Sequence, residues 1–72
     1  METIEIRGEM IRLGQLLKLA GVVGAGSDVK LLLASVDITV NGEPESRRGR
    51  QLHPGDVVGV DGEELLVAAL GA

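Results

Sequence analysis

The sequence predicts an α+β fold in which two short helices pack on a small, mainly antiparallel sheet of hairpins. Two observations lead to this fold class. Apolar residues recur with helical spacing in two stretches of the first half, and segments of alternating polarity are separated by turn-forming pairs in the second half. The 72 residues suffice for one small hydrophobic core, so we expect a single domain over residues 1–72.

The composition excludes several classes of function. The chain has no cysteine, which removes disulfides and thiolate chemistry, and no aromatic residue, which removes the rings on which many RNA-binding proteins stack bases. No apolar run approaches the roughly twenty residues that cross a bilayer. The first ten residues carry three glutamates where a signal peptide would carry bases and an apolar block. We therefore expect a cytoplasmic protein with no membrane contact.

The first half of the chain predicts a short strand and a helix. Ile4 and Ile6 alternate with polar neighbours, as in a strand with one buried face. The next apolar residues follow the i, i+3, i+4, i+7 spacing of one helical face, which Gly21 ends. These residues are Leu13, Leu16, Leu17 and Ala20.

A second helix is predicted immediately afterwards. Ser27 can cap its start and Asp28 lies in its first turn, where the helix dipole favours a negative charge. The same apolar spacing recurs at Val29, Leu32, Leu33 and Val36. Both helices are too short to persist alone, so their apolar faces must pack together on a sheet.

Turn-forming pairs predict that sheet. Asn41-Gly42 follows the alternating segment 38–40 and suits a tight type I′ turn. The "HPGD" segment (53–56) is a further turn, and Asp61-Gly62 separates "VVGV" from "ELLVAAL". Glu, Leu and Ala also favour a helix over residues 63–70, but the preceding Asp-Gly pair favours a second hairpin.

The charges are unevenly distributed along the chain. Residues 1–26 and 27–53 are each neutral, so the net charge of −4 comes wholly from four acids in residues 54–72. Arg47, Arg48 and Arg50 nevertheless crowd into four positions, opposed locally by Glu45. Guanidinium groups match phosphate oxygens well, but charges on a hairpin arm also protect a sheet edge from pairing. Spacing alone does not separate these interpretations, and isolated lysines such as Lys18 are most simply explained by solubility.

Several motifs in a fixed order resemble the S-four-type RNA-binding domain, or alpha-L motif, and in particular its small stand-alone bacterial YbcJ-like members. They are "QLLKLAG" (15–21), Lys30, "VNGE" (40–43), "RRGR" (47–50) and "PGD" (54–56). The resemblance covers nearly the whole chain. It implies that the second helix and an arginine hairpin form a face for structured RNA, either ribosomal or transfer RNA, with ribosomal particles as a further partner.

The resemblance also implies a set of RNA-binding residues. They are Lys18, Ser27, Lys30, Asn41, Arg47, Arg48 and Arg50, with Gly24 and Gly26 keeping the interhelix loop close to the ligand. Three positions depart from the family pattern. Ala25-Gly26 replaces Ser-Arg, Gly14 replaces an aspartate early in the first helix, and Val36 replaces the glycine that ends the second.

Nothing in the sequence predicts catalysis, a metal site or a cofactor. His53 is the only histidine and lies in a turn without metal-ligand spacing, and Glu63 and Glu64 would point to opposite faces of a strand. The alternative to a monomeric RNA-binding protein is a protein-interaction adaptor or a β-grasp-like carrier. The Gly71-Ala72 ending, in place of Gly-Gly, and the two helices before "VNG" disfavour the carrier.

Overall fold

The computed structural model describes residues 1–23 and 29–71. Within these ranges the chain forms two helices and seven strands. In chain order they are β1 (Glu2–Ile6), β2 (Ile11–Arg12), α1 (Leu13–Leu19), α2 (Val29–Ser35), β3 (Ile38–Val40), β4 (Glu43–Pro44), β5 (Gln51–Leu52), β6 (Val57–Val60) and β7 (Glu63–Ala69). The predicted α+β class with two short helices is confirmed.

Five of the strands form one sheet in the order β1-β7-β6-β3-β4. Its neighbours are antiparallel except for β1 and β7, which run parallel with Ile4 opposite Val67. A separate two-stranded sheet joins β2 to β5. The sheet is thus mainly antiparallel as predicted, while the parallel pair and the small second sheet were not anticipated.

Two hairpin turns have the geometry that their sequences predict. Asn41 and Gly42 have φ of 53° and 86°, and Asp61 and Gly62 have φ of 50° and 88°. Positive φ at both central residues is what a type I′ turn requires, and Asn, Asp and Gly adopt it most readily. The second turn leads into β7, so the segment after Asp61-Gly62 is a strand and not a helix.

Helix α1 lies at the centre of the core. Its Leu13, Leu16 and Leu17 are completely buried, and Gly21, with φ of 78°, follows the end of the helix as predicted. Helix α2 contributes one buried residue, Val29, while the rest of its apolar face is only half-buried. The strands of the two sheets supply most of the remaining described core residues, which are Ile4, Ile6, Ile38, Val40, Leu52, Val58, Leu65 and Val67. The last one, Val23, follows α1 and lies outside the strands.

The exit from α2 does not need the glycine that the family pattern places at Val36. The Val36 N–H donates to the Leu32 carbonyl at 3.0 Å, and only Asp37 separates Val36 from the start of β3. Among the described residues other than glycine, only Asn41 and Asp61 have positive φ. The predicted cap at Ser27, the first-turn Asp28 and the loop glycines Gly24 and Gly26 lie outside the described residues.

Gly59 allows β3 and β6 to approach each other. It pairs with Thr39, and a Cβ added at Gly59 would collide with the Thr39 hydroxyl. We expect Gly59→Ala to lower the free energy of unfolding by about 1–3 kcal/mol, since the clash displaces a packed strand. Urea unfolding measures this change. Combining it with Thr39→Ala, which removes the clashing hydroxyl, should cost less than the sum of the single changes. A Gly59→Ala variant as stable as the parent would contradict this account.

Candidate nucleic-acid interface

The clustered arginines lie in a loop, residues 45–50, which we call the arginine loop. It links β4 to β5, and these strands belong to different sheets. The sequence predicted an arginine hairpin, whereas in the structure the arginines lie in a loop that connects the two sheets. Strand β4 ends at Pro44, although the Glu45 N–H still donates to the Ile38 carbonyl of β3 at 2.9 Å. The Glu45 carboxylate then accepts hydrogen bonds from the N–H groups of Ser46 and Arg47, so these residues no longer pair with β3.

The arginine loop is fixed to the start of α1 by two backbone hydrogen bonds. The Leu13 N–H donates to the Arg50 carbonyl and the Gly14 N–H donates to the Arg48 carbonyl, both at 2.9 Å. The first N–H groups of a helix have no partner within the helix, so the loop carbonyls satisfy them. A Cβ on Gly14 would lie 3.4 Å from both Arg48 Cβ and Val29 Cγ1. A methyl group here would thus be in ordinary van der Waals contact with the loop and with α2.

An open groove of about 480 Å³ lies where these elements meet. Arg12, Lys18 and Arg48 bring three positive charges to it. The other lining residues are Gly14, Gln15, Val29 and Gly49, so the described part of the lining contains no carboxylate. The structure thus brings two residues predicted from the sequence, Lys18 and Arg48, to one site.

Sequence reasoning missed Arg12 because it is isolated from the other arginines in the chain. A signal was nevertheless present: Arg12, Gln15 and Lys18 recur every three residues along the polar side of α1. Gln15 also fixes the helix start, since its side-chain Oε1 accepts the Arg12 N–H at 3.1 Å. This contact orders the backbone that carries Arg12 beside the groove.

Glu45 holds the other two arginines of the loop. Its Oε1 accepts hydrogen bonds from Arg47 Nη2 at 3.1 Å and Arg50 Nη1 at 2.9 Å, and its Oε2 accepts Arg47 Nε at 3.1 Å. With the two backbone N–H groups, five donors meet one carboxylate whose side chain is only 8% exposed. The Arg47 side chain, followed by backbone and Arg50 hydrogen bonds, lowers the Glu45 pKa to about 2 despite the opposing effect of burial.

The three neighbouring arginines therefore have different surroundings. Arg47 and Arg50 share the Glu45 carboxylate, whereas Arg48 lines the groove and forms no ion pair with the residues described. Three guanidinium groups and one carboxylate leave this cluster with two net positive charges. The cluster thus adds positive charge beside the groove, and Glu45 holds the Arg47 and Arg50 side chains in place.

Asn41 joins the "VNG" and "PGD" motifs. Its Nδ2 donates to Asp56 Oδ1 at 3.1 Å, and its Oδ1 accepts the Val57 N–H at 2.9 Å. Asp56 Oδ2 also accepts the His53 N–H at 2.7 Å. Burial raises the Asp56 pKa, but these hydrogen bonds hold it below its ordinary value. The side chain predicted to contact RNA therefore connects two turns, and His53 belongs to the second of them.

The remaining predicted residues are less closely assembled. Lys30 is exposed at the second position of α2, next to the groove residue Val29. Ser27 lies outside the described residues.

Across residues 1–23 and 29–71, no group of acidic or histidine side chains is arranged to hold a metal ion. Neither α1 nor α2 is long and apolar enough to cross a membrane.

Removing the Asn41 side chain should weaken the contact between the two turns. Glycine tolerates the φ of 53° at this position, so Asn41→Gly isolates the lost hydrogen bonds from backbone strain. We expect the free energy of unfolding to fall by about 1–2 kcal/mol, because the Val57 N–H and Asp56 lose their partner. Denaturant unfolding measures the loss. Unchanged stability would show that the Asn41 bonds contribute nothing to the fold.

The depressed pKa of Glu45 predicts a defined acid response. Its contribution to stability should be complete above pH 4.5, the ordinary pKa, and should disappear as the pH falls towards about 2. The stability difference between the parent and Glu45→Gln should therefore shrink between these pH values. Thermal unfolding over pH 2–7 measures this, with Glu43→Gln as the control for an exposed acid on β4. A difference that does not vary with pH would contradict the hydrogen-bonded carboxylate.

Comparison with known proteins identifies the family of the chain. The chain is 51% identical over 59 residues to a protein of Bacillus subtilis (strain 168) named "Probable ribosome maturation protein RlbA", and the match covers 82% of this chain and 83% of that relative. No solved structure matches the chain. The sequence model described as "S4 domain" matches residues 4–68, which include both helices, five complete strands and most of β1 and β7. The chain therefore belongs to the S4 domain family, as the motif order indicated.

Proposed function

We propose that the protein is a non-catalytic RNA-binding protein that recognises structured RNA, ribosomal or transfer RNA, and acts as a cytoplasmic monomer in association with ribosomal particles. The observation that carries the proposal is the convergence of Arg12, Lys18 and Arg48 on one groove beside the arginine loop. Membership of the S4 domain family and the name of the Bacillus subtilis relative support the same role.

The distribution of charge explains how a protein of net charge −4 can bind a polyanion. The basic groove lies along α1 from Arg12 to Lys18, whereas Glu2, Asp61 and Glu63 line a different groove beside Ala20 and Gly21, just beyond the end of this helix. Opposite charges therefore occupy two different grooves. A phosphate backbone is attracted to one groove and repelled from the other, which orients the protein during encounter.

The groove suits phosphate better than a stacked base. The chain has no aromatic ring, and the groove offers two guanidinium groups and one ammonium group around a small apolar floor at Val29. Recognition by charge and shape is how proteins bind paired RNA, whose deep major groove hides the base edges. Structured RNA is therefore the ligand that these side chains favour.

Replacing groove residues one at a time tests this role. We expect Arg48→Ala and Arg12→Ala each to weaken binding of a structured RNA about tenfold, and to reduce the dependence of log K on log salt by about 0.7–0.9 per lost phosphate contact. Binding titrations over a salt series measure both quantities. The thermal midpoint should barely change, since both side chains are exposed.

Arg7→Ala is the matched control, because Arg7 is exposed, carries the same charge and does not line the groove. Its effect should be well below that of Arg48→Ala. Equal binding by the parent and all three variants would refute the proposal and favour the adaptor function.

A further inference from the structure

We propose that Glu45 is a positioning residue that makes the arginine loop discriminate structured RNA from single-stranded RNA. The inference rests on the proposed function and assigns a role to an acidic residue within a basic surface. Such a residue is unexpected there, because one negative charge lowers the attraction for every RNA. The contacts of Glu45 indicate an advantage that offsets this loss of attraction.

Glu45 fixes two guanidinium groups relative to each other. Arg47 Nη2 and Arg50 Nη1 share the same carboxylate oxygen, and Arg47 Nε is held by the other. The backbone beneath them is held as well, by the bonds from Ser46 and Arg47 to Glu45 and by the bond from Leu13 to the Arg50 carbonyl. The spacing of the two cationic groups is therefore set before any ligand arrives.

These contacts leave donors available for a ligand. A guanidinium carries five N–H groups, of which Glu45 uses two from Arg47 and one from Arg50. The side chain of Arg47 is 73% exposed and that of Arg50 is 38% exposed, whereas that of Glu45 is 8% exposed. Phosphate oxygens can thus bind the outer N–H groups while the inner ones stay on the carboxylate.

Fixed cations favour a ligand whose phosphates are also fixed. A folded RNA presents its phosphates at set distances, so two ordered guanidinium groups bind it without further loss of side-chain entropy. A single strand must first be ordered to match them. Without the Glu45 carboxylate, the arginines could adapt to either ligand. The cluster would also carry one more net positive charge. Glu45 therefore reduces general affinity and increases selectivity.

The experiment compares Glu45→Gln with Glu43→Gln. Both changes remove one negative charge, but Glu43 is exposed on β4 and lies outside the cluster. Dissociation constants are measured for an RNA hairpin and for an unstructured RNA of equal length at one salt concentration. For Glu43→Gln we expect both RNAs to bind slightly more tightly and their ratio to stay at the parent value. For Glu45→Gln we expect the unstructured RNA to gain more, so that the preference for the hairpin falls roughly fivefold.

Arg47→Lys provides a second test that keeps the net charge. A lysine ammonium cannot reproduce the planar fork that spans both Glu45 oxygens, so the preference should fall here too. An unchanged preference in both Glu45→Gln and Arg47→Lys, with folding verified by thermal unfolding, would overturn the positioning role. Failure of the parent to bind either RNA would instead refute the proposed function.

Discussion

The structure of the site depends on how the first turn of α1 satisfies its backbone N–H groups. In many helices a side chain or water takes these donors, but here the carbonyls of Arg48 and Arg50 accept those of Gly14 and Leu13. The start of the helix and the arginine loop are thereby one structural unit. Because these two donors are already occupied, a phosphate entering the groove must be bound by the side chains around it.

Gly14 lies where the arginine loop meets both helices. A methyl group there would be in ordinary van der Waals contact with the Cβ and carbonyl of Arg48 and with Val29 from α2. An aspartate, which the family often has there, would place a carboxylate between the loop and the second helix and beside Arg48. The glycine therefore removes a negative charge from the lining while preserving close packing.

Local patterns in the sequence predicted the parts of the fold that local forces determine. The leucine spacing in α1 and the Asn41-Gly42 and Asp61-Gly62 turns are such features, since each depends on a few neighbouring residues. The parallel pairing of β1 with β7 depends on residues more than sixty positions apart, and no pattern in either strand records its partner. The two-residue β2 and β5 are likewise too short to have a signature.

The candidate site was predicted only in part, because some of its residues come together only in the folded chain. Clustering in the chain identified Arg48, but Arg12 reaches the groove only because the helix start and the loop are bonded to each other. The sequence shows one glutamate near three arginines; only the folded loop shows that this glutamate binds two of them and leaves the third beside the groove.

The pairing of β1 with β7 has a consequence for the order in which the molecule assembles. During synthesis the first strand is made long before the last one, so Ile4 and Ile6 have no strand to cover them until β7 exists. Contacts between distant residues are costly to form and slow to gain. Folding should consequently be a single late event, and a nascent chain stopped before β7 should be degraded rather than persist as a partly active fragment.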